Sequence, residues 1–163
     1  ETKHKFQIEN TNPRSCKRFP KVWRIRCALC EEAYSPLSME LDHVYGDNSL
    51  KTYTDAQSFI DSIIFVKEED LQWLCIDQFR VKDKKKVLVK HGCHGIKTYS
   101  ERHNISFKEA MITKYAINIV KTKKDKEFFH DRDLLVPSNL ASRRSLMIEI
   151  LLNELNNADT IKQ

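Results

Sequence analysis

Cys27-Ala28-Leu29-Cys30 has the spacing of half a zinc site. Two residues between cysteines let both thiolates bend back onto one ion from a tight turn. Two more cysteines follow, Cys75 and Cys93, with 17 residues between them. Four thiolates complete a tetrahedral structural site, and the two pairs supply that ligand count. The plainer alternative is four unrelated buried thiols, since free Cys packs as a small hydrophobe. His91 or the fifth cysteine, Cys16, could replace one ligand. Between the two halves stands Leu41-Asp42-His43, and the second half runs on as Cys93-His94-Gly95-Ile96-Lys97-Thr98. Neighbours on a strand point to opposite faces, so Asp42 and His43 can serve one site only where the strand ends. There, one could bind a metal while the other handles a proton. His4, His103 and His130 lack such surroundings and read as surface or packing histidines.

The elements that must position these residues are legible in the periodicity. Val22-Trp23-Arg24-Ile25-Arg26 alternates apolar and basic, and Met39 to Val44 alternates likewise, so both read as strands. Tyr45-Gly46-Asp47-Asn48 reads as a turn. Ala56, Phe59, Ile60, Ile63 and Ile64 fall at helix spacing behind a Thr54-x-x-Gln57 capping box. Leu71-Gln72-Trp73-Leu74 is a short apolar run into Cys75. Phe79 to Lys90 has two alternating arms around a polar tip, which predicts a β-hairpin with Val81, Val87 and Val89 on a packed face. Ser106-x-x-Glu109 opens a second capped helix carrying Phe107, Met111, Tyr115 and Ile119. Lys121 to Lys126 is a charged break, and the last helix carries Met147, Ile148, Leu151, Leu152 and Leu155 as an apolar stripe.

Composition narrows the partners. The chain has 163 residues, 28 Lys+Arg against 23 Asp+Glu, and a net charge of +5, so an acidic partner fits. Only 3 Gly and 4 Pro exclude collagen-like and linker-rich readings, and Gly92 with Gly95 makes no phosphate-cradling loop. No stretch approaches the ~18 consecutive apolar residues that span a bilayer, and no apolar run follows the N-terminus. A soluble, cytoplasmic protein is expected. Basic groups gather in segments: Arg14, Lys17 and Arg18; Lys82, Lys84, Lys85, Lys86 and Lys90; Lys121, Lys123, Lys124 and Lys126; and Arg143-Arg144. Such segments suit DNA phosphates, and nothing among them reads as a base-specific code.

As an ensemble these residues resemble the HNH endonuclease family, of the zinc-bearing kind frequent in phages and mobile elements. That family reads CxxC, an acidic residue or His followed by His on a strand, N-L-x-x-L-C, and C-H-x-x-K-T. The matching pieces are Cys27 to Cys30, Asp42-His43, Asp70-Leu71-Gln72-Trp73-Leu74-Cys75, and Cys93-His94-Gly95-Ile96-Lys97-Thr98 with Glu101. The resemblance covers residues 21–103. It implies an α+β protein with a ββα-metal core, a hairpin and helix clasped around one divalent ion.

By resemblance, Asp42 and His94 hold a catalytic ion, Mg2+, Mn2+ or another first-row metal, beside a structural Zn2+ on the four cysteines. His43 is the general base. Asp70 occupies the catalytic position where the family has Asn, as a poor stand-in or as an oxygen ligand; Asn48 is a distant alternative. Lys97 contacts a backbone phosphate or is simply an exposed helix lysine, while Lys84, Lys85 and Lys86 contribute DNA affinity. The implied activity is hydrolysis of DNA phosphodiester bonds, by nicking or double-strand cleavage, leaving 5′-phosphate ends. Residues 1–20 read as a basic arm, 21–105 as the nuclease core with a hairpin inserted at 76–92, and 106–163 as a helical extension packed on the core. Two other classes fit the same residues. One is a non-catalytic zinc module that binds nucleic acid or protein; the other is a nuclease subunit active only within a larger phage assembly.

Overall fold

The computed structural model describes residues 5–44, 52–82, 84–121 and 124–160. The protein is mixed α+β and divides into two compact units, residues 1–101 and 102–163. The first unit holds three small antiparallel sheets. Strands β1 (Lys5–Glu9), β2 (Lys21–Arg26) and β3 (Ala33–Tyr34) form one, in that order. Strands β4 (Met39–His43) and β5 (Leu71–Cys75) form the second, and β6 (Gln78–Lys82) with β7 (Lys85–Lys90) the third. Helix α1 (Ala56–Ile64) lies in the connection between β4 and β5, and α2 (Cys93–His103) follows β7. The two-strand pair β4–β5 is thus followed by a helix, with the β6–β7 hairpin interposed.

Strand β1 departs from the sequence reading, which left residues 1–20 as an irregular arm. Its pairing with β2 runs from Lys5 opposite Ile25 to Glu9 opposite Lys21. Asn10 and Asn12 organise the loop, with the Asn10 amide donating to the Phe19 carbonyl at 2.7 Å and the Asn12 side chain accepting from the Arg14 N–H. Asx turns of this kind fold a polar loop without apolar patterning, while the strand itself does alternate, as Lys5-Phe6-Gln7-Ile8-Glu9, a signal the sequence reading missed. The expected capping box is displaced onto the short 3-10 turn Tyr53–Asp55 that leads into α1. Asp55 Oδ2 accepts from the Thr52 backbone and hydroxyl at 2.9 and 2.8 Å, so Thr52-x-x-Asp55 replaces the expected Thr54-x-x-Gln57. The Tyr45–Asn48 turn, Asn48, His4 and Lys123 lie outside the described residues.

The β6–β7 hairpin forms as expected, but its valines do not pack on one face. Val81 and Val89 are 71% and 58% exposed, and Phe79 is exposed as well. Val87 and Leu88 alone are half-buried within the two strands' apolar set. A β-bulge between Gln78 and Phe79 shifts the register, pairing Gln78 with Lys90 and Phe79 with Leu88. The extra residue breaks the alternation that predicted one packed face.

The second unit holds α3 (Phe107–Lys121), α4 (Asp125–His130) and α5 (Leu140–Thr160). The Ser106–Glu109 box is present reciprocally, at 2.8 and 3.2 Å. Ala116, Phe128, Phe129 and Met147 make its buried core, with Ile119, Leu146, Ile148, Ile150 and Leu151 packed around them. Arg143, read as a basic group opening the last helix toward DNA, is structural instead. Its Nη1 lies 3.0 Å from Asp125 Oδ2, and its Nε donates to the Pro137 carbonyl at 2.6 Å. The Arg144 Nε is buried too. Asp125 is only 2% exposed, so the pair is desolvated and each charge depends on the other. Asp125→Ala should therefore destabilise by about 3–5 kcal/mol, the usual penalty for orphaning a buried charge. Denaturant melts of both proteins measure it.

Candidate metal centre and the adjoining carboxylate face

Cys27, Cys30, Cys75 and Cys93 form the only metal-competent group of three or more His, Cys, Asp or Glu side chains found among the described residues. Their sulfurs all lie within 4.8 Å of one another. Cys30 Sγ is 3.9 Å from Cys75 Sγ. Four sulfurs at ~2.3 Å from one zinc sit about 3.8 Å apart, so the donor set fits a tetrahedral structural ion. Neither substitute ligand is used. Cys16 stands in the Asn12–Phe19 turn, its N–H donating to Asn12. His91 stands apart, with Nδ1 3.6 Å from Asp77 and both ring nitrogens buried without hydrogen bonds.

Three chain segments converge to bring these sulfurs together. The turn between β2 and β3 carries the CxxC. Cys27 N donates to Glu32 O and Glu31 N to Cys27 O, both at 3.0 Å, while Glu31 adopts φ 59° to close the loop. The Ala28 N–H then reaches the Trp73 carbonyl at 2.9 Å, tying the turn to β5. Cys75 ends β5. Cys93 opens α2, and its N–H points at Cys75 Sγ at 3.3 Å.

Gly92 makes that last approach possible. A Cβ built there would lie 2.2 Å from the Ile76 carbonyl carbon and 2.4 Å from the Cys75 oxygen. Both are backbone atoms and cannot swing away, so the absence of a side chain matters here rather than any unusual φ. Asp77 completes the corner by accepting from the Gly92 N–H at 2.7 Å.

The thiols differ electrostatically. Burial pushes Cys27 up, but hydrogen bonds from the backbone of Cys30, Cys75 and Leu29 outweigh it and bring the thiol down to about 7. Burial raises Cys93 far above the ordinary thiol range, reinforced by repulsion from Cys27 and Cys75, and it raises Cys75 as well. One sulfur thus favours its anion while its neighbours resist a second, a conflict that a bound cation removes.

Beside the sulfurs, Lys90 Nζ donates to Glu32 Oε2 at 2.6 Å and to the Tyr34 hydroxyl at 3.0 Å, and that hydroxyl lies 3.7 Å from Cys30 Sγ. Lys90 had been grouped with the phosphate-binding lysines. Its partners make it instead the tie between the end of the inserted hairpin and the cysteine turn.

The other predicted residues lie on β4, β5 and α2. Asp42 is opposite Gln72 and His43 opposite Leu71, the last pair of the ladder, so His43 does stand at a strand end. Gln72 Nε2 donates to the His43 carbonyl at 3.2 Å, and Val44 N donates to the Asp70 carbonyl at 2.8 Å. These two bonds fix the peptide unit that follows the half-buried His43. Asp70 is exposed, and its Oδ2 accepts from the Lys67 N–H at 3.0 Å. That contact needs only an acceptor, which Asp supplies as well as Asn.

Glu40 and Asp42 share one face of β4, and both are met from α2. His94 Nδ1 is 2.7 Å from Glu40 Oε2, and Lys97 Nζ is 2.9 Å from Asp42 Oδ2 and 2.7 Å from Glu101 Oε1. Lys97 is 9% exposed. It is therefore neither the exposed helix lysine nor the open phosphate contact that the sequence offered. Burial works against its charge, but the hydrogen bonds to Glu101 and Asp42 prevail and keep it ionised. Sequence reasoning missed Glu40, Gln72, Tyr34 and Glu32. Only Glu40 left a signal, two residues before Asp42 on the same face of a strand.

Purified without chelator, the protein should carry one zinc per chain by elemental analysis. Gly92→Ala should lower that content several-fold, because the Cys75–Cys93 corner cannot close. Protons and metal compete for the thiolates, so zinc affinity should rise with pH, first through the region of about 7 where Cys27 loses its proton and further above it, where Cys75 and Cys93 still hold theirs. A chelator competition at several pH values reads the slope.

Set against known protein families, characterised proteins and solved structures, the chain shows no match.

Proposed function

We propose that the protein is a metal-dependent DNA endonuclease of the HNH type, its ββα core formed by β4, β5 and α2. The observation that carries this reading is the juxtaposition of Asp42, at the end of β4, with the helix face bearing His94, Lys97 and Glu101, beside a four-sulfur cluster that pins the start of that helix.

In this reading the Asp42 carboxylate and the His94 imidazole hold a divalent ion. When bound, the ion supplies Lewis-acid stabilisation of charge at the reacting phosphate and the leaving 3′ oxygen. His43 accepts a proton from the attacking water, the general-base role that an imidazole can take. The water oxygen bonds to phosphorus, the P–O3′ bond breaks, and the products are a 5′-phosphate and a 3′-hydroxyl. Gln72 and Asp70 hold the backbone around His43 and so aim its ring. The exposed Lys84, Lys85 and Lys86 at the hairpin tip bind backbone phosphates away from the chemistry. The four cysteines and their zinc fix the strand-to-helix geometry and do not touch substrate.

A non-catalytic zinc module is the second reading, favoured by one observation: Asp42 is already engaged by Lys97. Plasmid nicking separates the two. With Mg2+ or Mn2+, the wild type should nick and His43→Ala should be slower by about 10²–10⁴. Asp70→Asn should stay within a few-fold of wild type, because the bond to the Lys67 N–H survives. Equal nicking by wild type and His43→Ala, or none with any divalent ion, favours the binding module. Replacing Lys84, Lys85 and Lys86 with Ala should flatten the log–log salt dependence of DNA binding by up to ~3 units. An unchanged slope in a filter-binding titration would mean that the tip contacts no phosphate.

A further inference from the structure

Asp42 has two claims upon it, one from the proposed metal and one from Lys97. We infer that Lys97 is an internal cation which occupies Asp42 in the metal-free protein and which a divalent ion must displace to bind there. The inference rests on the endonuclease reading and adds to it a positioning residue that sets metal affinity.

The geometry is specific. Lys97 Nζ stands between two carboxylates, 2.9 Å from Asp42 and 2.7 Å from Glu101, and its side chain is 11% exposed. Glu101 lies one helical turn beyond Lys97, so helix geometry holds the lysine against Glu101 whatever happens at Asp42. The Asp42 contact crosses from helix to strand and is the one that can be exchanged. When the ion takes Asp42, Lys97 stays charged and paired on its own helix, so displacement does not strand a buried ammonium. The count of charges favours the exchange. Glu40, Asp42 and Glu101 bring three carboxylates to this face, and Lys97 brings one fixed positive charge, with His94 Nδ1 2.7 Å from Glu40 Oε2. A negative surplus remains that a divalent ion satisfies better than a second ammonium would.

The consequence is quantitative. An ion that binds only when Asp42 is released has its apparent affinity reduced by the fraction of molecules in which Asp42 is free. Lys97→Met keeps most of the apolar stem and removes the charge. In zinc-loaded protein without DNA, that change should tighten Mn2+ binding by about tenfold or more, read by the loss of free-Mn2+ paramagnetic resonance. Unchanged or weaker Mn2+ binding in a folded Lys97→Met protein overturns the inference.

A second measurement needs no loss of charge at the site. In wild-type protein with 15N-labelled lysine, the Lys97 ammonium resonance, identified by its absence in Lys97→Arg, should shift with Mg2+ at the same midpoint as binding. A resonance that stays fixed while Mg2+ binds also overturns it. Asp42→Asn tells the two failures apart. If it abolishes Mn2+ binding while Lys97→Met changes nothing, Asp42 is the metal ligand and the inference about Lys97 alone is wrong. If Asp42→Asn leaves Mn2+ binding intact, the metal assignment itself fails.

Discussion

Four sulfur atoms within 4.8 Å of each other, three of them on buried cysteines, cannot all be charged without a cation. That constraint organises the first unit. Protonated, the cluster is a small apolar contact. Ionised around zinc, it is a clamp joining the β2–β3 turn, the end of β5 and the start of α2, in a unit whose described sheets have two or three strands each. In zinc domains of this kind the binding energy of the metal is folding energy. The details nearby follow from it. Gly92 must lack a side chain, Glu31 must accept a left-handed backbone, and the Cys93 N–H must face sulfur rather than water.

The clamp also explains why 17 residues can be interposed between Cys75 and Cys93. Lengthening a loop costs only logarithmically in closure entropy. The hairpin shortens the effective loop further by pairing its own ends, Gln78 opposite Lys90. Lys90 then returns the chain to the cysteine turn through Glu32 and Tyr34. What remains outside the clamp is the tip, where Lys84, Lys85 and Lys86 are exposed. An insertion anchored at its base and basic at its tip can gain charge without disturbing the thiolates.

The cysteine ligands were legible because ligand chemistry depends on residue type and number, and CxxC is a local geometry. The strands β2 and β4 and the hairpin were legible because alternation is written in the sequence, whereas β5 showed only as a short apolar run into Cys75. Strand β1 was missed although Lys5-Phe6-Gln7-Ile8-Glu9 alternates, because only two of its residues are apolar and a polar loop folded by asparagine side chains follows it. The role of Lys97 was not either. A lysine in a basic chain reads as solvated, and only the approach of β4 to α2 brings Asp42 to it while Glu101 holds it from its own helix. Asp70 shows the opposite case. Its difference from the family's Asn looked like a defect, yet its contact asks only for an acceptor. Arg143 was misread for a related reason: its buried partner, Asp125, lies 18 residues away, beyond the reach of any periodic pattern.

The carboxylate face can be understood from these same terms. A strand end that presents acids toward a helix would repel itself if the helix offered nothing in return. Here the helix offers His94 to Glu40 and Lys97 to Asp42, three residues apart and so on one face of α2. The two contacts differ in kind. Glu40 holds the Nδ1 side of an imidazole, which leaves the other ring nitrogen available as a ligand, the arrangement by which carboxylates orient metal-binding histidines. Lys97 instead covers the carboxylate that an ion would need. On the proposed reading, Glu40 orients a donor while Asp42 is covered by a charge that an ion would displace, and that difference between the two contacts suits a cation site.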